Sequence, residues 1–318
     1  MMAPITTTGL AALGLLVLLG LIYRIVSFIQ LYTRPSNLHK YLHSTSGKPA
    51  WALVTGASDG IGKALAAELA ASGFNVVLHG RNVGKLESVK AALQKAHPAH
   101  EFRILVVNAS TCGIEAEAWI EEVLELTRDI NLTVLINNAG GTLLPTYGIL
   151  DQSDAKKILD TVHLNAAFPA LMMSTLIPVL LRNKPALILN IGSLSDNGLP
   201  LISYYAASKS FGNSLSLAVA REMQLEQRDI EILTLRVGLV VGSGDNKHLQ
   251  PHFFGPTPDA MAKAILARTG CGRILVVPYW THGLQQAILS LLPAALRDRI
   301  TISVMKDLRD NERARKED

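Results

Sequence analysis

The chain has 318 residues, of which 49% are hydrophobic, a length that suits one large domain with an appendage. Its formal net charge is only +4, and no basic run is interleaved with aromatic residues, so a nucleic-acid partner is excluded. The two cysteines, Cys112 and Cys271, form neither a disulfide framework nor a C-x-x-C pair, so no metal site is expected.

Residues 1–33 are predicted to form a membrane anchor, a single transmembrane helix. The stretch 9–32 is apolar apart from Arg24 and is long enough to cross a bilayer core of about 30 Å. A cleaved signal peptide would need a basic residue before the apolar run, and none precedes it. A buried core helix is the other alternative. The basic residues that follow the apolar run precede the first acid, Asp59, so the positive-inside rule places the body of the protein in the cytosol.

Residues 34–49 are predicted to be a linker, and residues 50–280 a catalytic domain. In the latter, short apolar runs alternate with segments of helical spacing, which is typical of a parallel sheet with helices on both faces. The predicted fold is therefore α/β, a single doubly wound Rossmann-type domain with about seven parallel strands. The seven runs are residues 51–55, 75–79, 102–108, 132–137, 186–191, 231–237 and 273–277.

The first predicted strand leads directly into a glycine-rich segment, residues 55–62. Glycines let the backbone approach a pyrophosphate, and the helix that opens at Gly60 offers unpaired N–H groups. Because the segment follows a strand and opens a helix, it predicts a dinucleotide-binding loop rather than a plain turn. The residues expected to contact the dinucleotide are Gly56, Ser58, Asp59, Gly60, Ile61 and Gly62.

The second predicted strand is followed by Arg81. An acid at this place would hold the ribose hydroxyls of NAD, whereas a basic residue suits the 2′-phosphate of NADP. Arg81 therefore predicts NADPH as the cofactor, the alternative being an exposed arginine in a turn.

Tyr205 and Lys209 share one face of a predicted helix, because they are four residues apart. A free tyrosine has a pKa of about 10, and a nearby cation would lower that pKa by stabilising the phenolate. The pair follows a strand that ends at Ser193, and the motif Asn137-Asn138-Ala139-Gly140 ends an earlier strand. This order of motifs indicates acid–base catalysis beside a bound dinucleotide.

The T-G-x-x-x-G-x-G loop, the N-N-A-G strand end and the Y-x-x-x-K pair resemble the short-chain dehydrogenase/reductase family across about residues 50–240. The resemblance implies that Tyr205 donates a proton and that Lys209 holds the nicotinamide ribose and lowers the tyrosine pKa. It further implies that Ser193 bonds the substrate carbonyl and Asn165 holds a proton-relay water. It also assigns three residues to the cofactor region, namely Asn108 near adenine, Asn138 in the central strands and Val240.

A closer resemblance extends beyond these motifs. The apolar N-terminus, the form T-G-A-S-D-G-I-G-K of the loop and Pro278-Tyr279-Trp280 resemble the microsomal 3-oxoacyl-CoA reductases, relatives of the type 12 hydroxysteroid dehydrogenases. That subgroup implies reduction of a lipophilic ketone by NADPH at the endoplasmic reticulum membrane, in very-long-chain fatty acid elongation. The alternatives are a steroid or polyketide-type ketone as substrate, and, in another class, a catalytically silent nucleotide-binding membrane scaffold. A homo-oligomer is left open.

Some features depart from the family pattern. Ser193 stands one residue closer to Tyr205 than usual, so Ser195 is a rival for contact with the substrate carbonyl. Residues 281–318 are predicted to be a C-terminal amphipathic segment and a charged tail. Within them, the apolar stretch 283–296 is expected at the membrane interface or over the substrate cleft. The stretch 306–318 is expected to be a solvated helix or a frayed end.

Overall fold

The strands of the protein form one parallel sheet, in a computed structural model that describes residues 7–113, 116–144 and 146–317. The strands are β1 (Ala50–Val54), β2 (Asn75–Gly80), β3 (Phe102–Val106), β4 (Asn131–Asn137), β5 (Ala186–Ser193), β6 (Ile230–Val237) and β7 (Leu275–Val276). Within the described ranges, these seven strands pair in the order β3-β2-β1-β4-β5-β6-β7, with every pairing parallel. The predicted fold class is confirmed.

The sheet is buried on both faces, which explains why its central strands are apolar without alternation. In β1, Ala52 and Val54 belong to the core on one face, and Trp51 and Leu53 to the core on the other. The chain reverses its direction of winding between β1 and β4, the neighbours at the centre of the sheet. In open parallel sheets, ligands bind beyond the carboxyl ends of the strands at such a switch point.

Helices cover the two faces of the sheet and precede it. They are α1 (Thr7–Thr33), α2 (Gly60–Ala71), α3 (Val83–Ala96), α4 (Ala116–Thr127), α5 (Ala155–Val162), α6 (Phe168–Arg182), α7 (Ser203–Leu225), α8 (Pro258–Leu266), α9 (Trp280–Ser290) and α10 (Ala294–Glu317). A π-helical turn, His163–Ala167, joins α5 to α6.

Helix α1 is a candidate transmembrane helix. Among the described residues, two helical stretches, Gly9–Thr33 and Ala155–Arg182, are long and apolar enough to cross a membrane. The second is 44% buried and packs in the core, whereas no part of the most apolar window of the first is buried inside the protein. Water solvates an exposed apolar surface of this kind poorly, which makes α1 the better candidate for a span.

Residues 34–49 pack along the amino ends of the strands. Tyr41 is fully buried, and its hydroxyl donates to Glu231 at the start of β6, at 2.5 Å. The Thr133 hydroxyl of β4 donates to the Tyr41 carbonyl at 2.7 Å. At the end of α1, the Tyr32 hydroxyl donates to the Val277 carbonyl at 2.9 Å. The segment predicted as a linker is thus hydrogen-bonded to the domain.

The charged C-terminal tail forms the second half of α10 and is docked rather than frayed. Glu312 is buried, and its carboxylate accepts the backbone N–H groups of Thr146, at 2.8 Å, and Tyr147, at 3.3 Å. Arg315 contacts the His248 ring, its guanidinium lying 2.8 Å from Nδ1. The helix therefore fastens both the loop after β4 and the loop after β6. Most side chains of the tail helix are exposed, and Glu312 is the exception because it is buried against partners distant in sequence.

Candidate active site

The glycine-rich loop between β1 and α2 depends on glycine for its conformation. Gly56 and Gly60 adopt positive φ angles of 66° and 54°, where a side chain would be strained. A Cβ atom on Gly62 would overlap the Gly56 carbonyl and the Asn138 amide. Asp59 caps α2, its carboxylate accepting the Gly60 N–H at 2.8 Å. The loop therefore leaves bare backbone at the amino end of a helix, as a pyrophosphate requires.

Charged groups surround the mouth of this loop. Lys247, in the loop after β6, lies 2.7 Å from Asp59, and Lys85 of α3 lies 4.0 Å from the same carboxylate. The hydrogen bond from Lys247 holds the pKa of Asp59 below its usual value. Arg81 is exposed directly after β2, and a Cβ on neighbouring Gly80 would lie 3.5 Å from the Ser58 hydroxyl. Ser58 and Arg81 thus share the edge expected to meet a 2′-phosphate.

His79 supports the loop from below, although the sequence pattern does not point to it. This fully buried side chain accepts the Gly56 N–H at its Nδ1, at 3.3 Å, and its Nε2 lies 3.1 Å from the Val107 carbonyl. Burial lowers the pKa of His79 to about 4, so the ring stays neutral and can accept at Nδ1 while it donates from Nε2. The available sign in the sequence was a histidine directly after the apolar residues 76–78 of β2.

The other residues expected at the cofactor take varied positions. The Asn108 carboxamide oxygen accepts from the Ser110 hydroxyl at 2.9 Å and shapes the turn after β3. Ile61 is partly buried against the core. Val240 is 5% exposed and belongs to the core, so only its backbone is left to face a cofactor. The loop after β6 turns this side chain inward, and the contact of Val240 with a cofactor stays a prediction.

Asn138 joins β4 to the glycine-rich loop. Its side-chain amide donates to the Thr55 carbonyl at 2.9 Å, and its backbone N–H donates to the Thr55 hydroxyl at 2.8 Å. These bonds hold the ends of the two central strands together at the switch point, the place that the family resemblance implied for Asn138.

Tyr205, in the first turn of α7, meets two serine hydroxyls at the end of β5. Burial is the largest influence on Tyr205 and raises its pKa, while hydrogen bonds with Ser193 and Ser195 act in the opposite direction. The Ser195 hydroxyl donates to the Ser193 hydroxyl at 2.8 Å. Both serines therefore stand beside the phenol, and the structure leaves both as partners for a substrate carbonyl.

Lys209 lies one turn further along α7 and is buried. Its ammonium donates to the Ile191 carbonyl of β5 at 2.9 Å and lies 5.9 Å from the centre of the Tyr205 ring. Burial lowers the pKa of Lys209 to about 8. Burial is the largest influence on the pKa of Tyr205, and the Lys209 ammonium bonds a strand carbonyl. That Lys209 lowers the tyrosine pKa stays a prediction.

Asn165 occupies the π-helical turn between α5 and α6. Its side chain bonds the backbone of Gly141 in both directions, accepting from the N–H and donating to the carbonyl, each at 2.9 Å. A Cβ on Gly140 would lie 2.8 Å from both the Asn165 oxygen and the Lys209 nitrogen, so that glycine lets the two groups approach. The turn thus places Asn165 beside Lys209; π-helical turns are frequent at functional sites.

A small cavity adjoins Lys209. Asn137, Asn213 and Thr234 contribute to its lining. In the part of the chain that the structure describes, the carboxamide oxygens of both asparagines and the Thr234 hydroxyl have no hydrogen-bond partner. Unpaired polar atoms around one cavity suit ordered water.

A buried ion pair lies behind the two serines. The Arg236 guanidinium of β6 forms two bonds of 2.5 Å with the Asp196 carboxylate, and the Asn213 amide donates to it at 2.6 Å. The side chain of Asp196 is 2% exposed. The pair fixes the segment that follows Ser195, and its partners are too far apart in sequence for spacing to reveal.

The fold and this site define a nucleotide-dependent oxidoreductase, in which a Tyr–Lys pair stands beside a dinucleotide loop at the switch point. The short chain dehydrogenase family matches residues 50–250, and the chain belongs to that family.

A sequence relative supports the assignment, and solved structures share the fold. The chain is 30% identical to a very-long-chain 3-oxoacyl-CoA reductase of Coccidioides immitis (strain RS) over 87% of its own length and 79% of the relative's. Among solved structures, a 7beta-hydroxysteroid dehydrogenase superposes with a TM-score of 0.68 at 18% identity, over 80% of this chain and 97% of that one. An alcohol dehydrogenase from Thermococcus sibiricus, complexed with 5-hydroxy-NADP, superposes with a TM-score of 0.58 at 26% identity, over 68% of this chain and 88% of that one.

Proposed function

We propose that the protein reduces a lipophilic ketone to an alcohol with NADPH, and that its substrate is a 3-oxoacyl-CoA of very-long-chain fatty acid elongation. The observation that carries the proposal is the Tyr205 phenol, which stands beside Ser193 and Ser195 and has the buried Lys209 ammonium 5.9 Å from the centre of its ring. The substrate class is supported by similarity to the fungal 3-oxoacyl-CoA reductase over most of both chains.

The residues around the loop fit NADPH. The glycines at positions 56, 60 and 62 keep the backbone open to a pyrophosphate, and side chains there would be strained or would overlap other atoms. Ser58 and Arg81 would hold the 2′-phosphate, and Lys209 the nicotinamide ribose. When bound, the cofactor supplies the hydride that reduces the carbonyl carbon. The similar alcohol dehydrogenase with a bound NADP derivative supports this choice.

Tyr205 would act as the proton donor. Negative charge builds on the carbonyl oxygen during reduction, and a half-buried phenol with a serine hydroxyl at its side can stabilise that charge by hydrogen bonds. The raised pKa of Tyr205 keeps the phenol protonated at neutral pH, as donation requires. Lys209 and Asn165, which line this cavity, would return a proton to the phenol through water.

We further infer that α1 anchors the protein in the endoplasmic reticulum membrane by a single pass, with the catalytic domain in the cytosol. The support is the exposed apolar surface of α1 and the basic residues that follow it, Arg34, Lys40 and Lys48.

The test is NADPH oxidation by the purified full-length protein against long-chain 3-oxoacyl-CoA, steroid ketones and polyketide-type ketones. The highest kcat/KM is expected for the 3-oxoacyl-CoA, with a much lower value when NADH replaces NADPH. A preference for a steroid or a polyketide-type ketone would show that the proposed substrate is wrong and would assign that ketone in its place. Normal NADPH binding without turnover of any ketone would favour the silent scaffold.

A further inference from the structure

The outward face of α9 is apolar along its whole length. Its side chains recur with the spacing of one helical stripe, while Thr281 and His282 point inward and are fully buried. The members of the stripe are Trp280, Leu284, Ala287, Ile288 and, directly after the helix, Leu291. Ile288 is 51% exposed and Leu291 is 78% exposed, so the domain itself leaves this stripe uncovered.

Two aromatic rings of the loop after β6 extend the stripe. The Phe253 ring meets the Trp280 ring edge-on, with centroids 5.3 Å apart, and the Phe254 ring lies 4.8 Å from that of Phe253. The Thr281 hydroxyl holds the loop in place by donating to the Phe253 carbonyl at 2.9 Å. Together, the stripe and these two phenylalanines are here called the α9 face.

The α9 face begins where α1 leaves the domain. The last turns of α1 pack on Gly283, where a Cβ would overlap the Tyr32 hydroxyl and would lie 3.3 Å from the Phe28 ring. On the helix, Gly283 is one turn before Ala287 and borders the stripe. The apolar part of α1 that precedes Phe28 is exposed throughout. The two apolar surfaces therefore adjoin each other at this contact.

We propose that the α9 face docks on the cytosolic surface of the bilayer that α1 crosses, with its apolar side chains among the acyl chains. This proposal rests on the membrane anchorage proposed above. The lipid that surrounds α1 must also surround its last exposed turns, and the α9 face starts at that level. Tryptophan and tyrosine favour the membrane–water interface, and Trp280 and Tyr32 both stand there.

Docking in this way would place the active site directly above the lipid. On the inner side of α9, His282 Nδ1 accepts the Gly238 N–H at 3.3 Å, immediately after β6. Its Nε2 lies 2.9 Å from the Phe254 carbonyl. One helix thus carries lipid-facing side chains outside and contacts the carboxyl edge of the sheet inside. A second copy of the chain is the competing occupant of the face, and the experiment below separates the two.

Tryptophan fluorescence gives a direct test. The chain has three tryptophans, and Trp51 and Trp119 are buried in the core whereas Trp280 is 45% exposed. The full-length protein is reconstituted in phosphatidylcholine vesicles with or without bromine atoms on the acyl chains, since bromine quenches nearby tryptophans. We expect brominated lipid to quench part of the wild-type emission, and Trp280→Phe to abolish that part.

Two reporters in the Trp280→Phe background serve as controls. Tyr23→Trp lies in α1 and reports insertion of the anchor. Val83→Trp lies on α3, at the opposite edge of the sheet, and is expected to escape quenching. Quenching of Tyr23→Trp without quenching of Trp280 would overturn the docking proposal and leave the anchor intact. Absence of quenching at Tyr23→Trp would overturn both the membrane anchor and the docking of the α9 face. Shielding of Trp280 that depends on protein concentration but not on bromine would assign the face to a second copy.

Discussion

The Tyr205→Phe substitution separates catalysis from folding, because the structure gives different magnitudes for the two. The missing hydroxyl removes the proposed proton donor, and general acid assistance contributes typically 10²–10⁴-fold in rate. That loss corresponds to roughly 3–5 kcal/mol of transition-state stabilisation. In the folded protein, the ring remains packed, and Ser193 and Ser195 stay bonded to each other at 2.8 Å. No partner is left without a hydrogen bond, so the free energy of unfolding should fall by only about 1 kcal/mol.

The assay is steady-state NADPH oxidation with the preferred ketone, together with NADPH binding and urea denaturation of the same preparation. We expect kcat to fall at least about a hundredfold while the dissociation constant of NADPH changes little. Tyr204→Phe is the matched control, since its ring lies near Lys157 rather than Lys209. Wild-type turnover by Tyr205→Phe with loss of turnover by Tyr204→Phe would refute the assignment of both Tyr205 and Lys209.

Three further predictions concern cofactor choice, pH and the C-terminal helix. Arg81→Asp should raise the KM for NADPH at least about tenfold and change that for NADH little, because it replaces an attractive charge by a repulsive one; equal losses would make Arg81 structural. His79 has a folded pKa of about 4, below its unfolded value of 6.5. Protonation therefore favours the unfolded chain, and up to about 3 kcal/mol of stability should be lost as the pH falls from 6.5 towards 4. The free energy of unfolding, measured by urea denaturation across that range, should change less with pH in His79→Gln than in the wild type. An unchanged dependence on pH would exclude His79 as the source. Glu312→Ala should lower kcat/KM several-fold by freeing the loop after β4, whereas Glu312→Gln keeps one acceptor and should retain most activity. Identical kinetics for the two variants would disconnect the loop from turnover.

Sequence periodicity locates the strands well where burial is continuous. The run 51–55 predicts β1, which spans Ala50–Val54, and its side chains alternate between two cores. The run 273–277 is longer than β7, Leu275–Val276, because an edge strand pairs on one side only, here through two residues of β6. The sequence shows that such a run is apolar, but it does not show how many of its residues pair with the neighbouring strand.

The site is predictable in its motifs and not in its supports. Tyr205 and Lys209 follow from a spacing of four residues on one helix, which is a local property. Arg236 and Glu312 support the site through partners that are distant in sequence, so no local pattern indicates them. The direction of the Tyr205 pKa shift also depends on burial, which the spacing of the pair with Lys209 does not determine.

The packing of α1 on the domain affects how a water-soluble version of the enzyme should be prepared. A shortened chain that begins after residue 33 would lose the hydrogen bond from Tyr32 to Val277 and the contact of Phe28 and Tyr32 with Gly283. It would also expose an unpaired carbonyl and fresh apolar surface on α9. A chain that begins at Ser27 would keep both contacts and discard the exposed apolar turns. The second version is therefore the better starting material for crystallisation and ligand soaking.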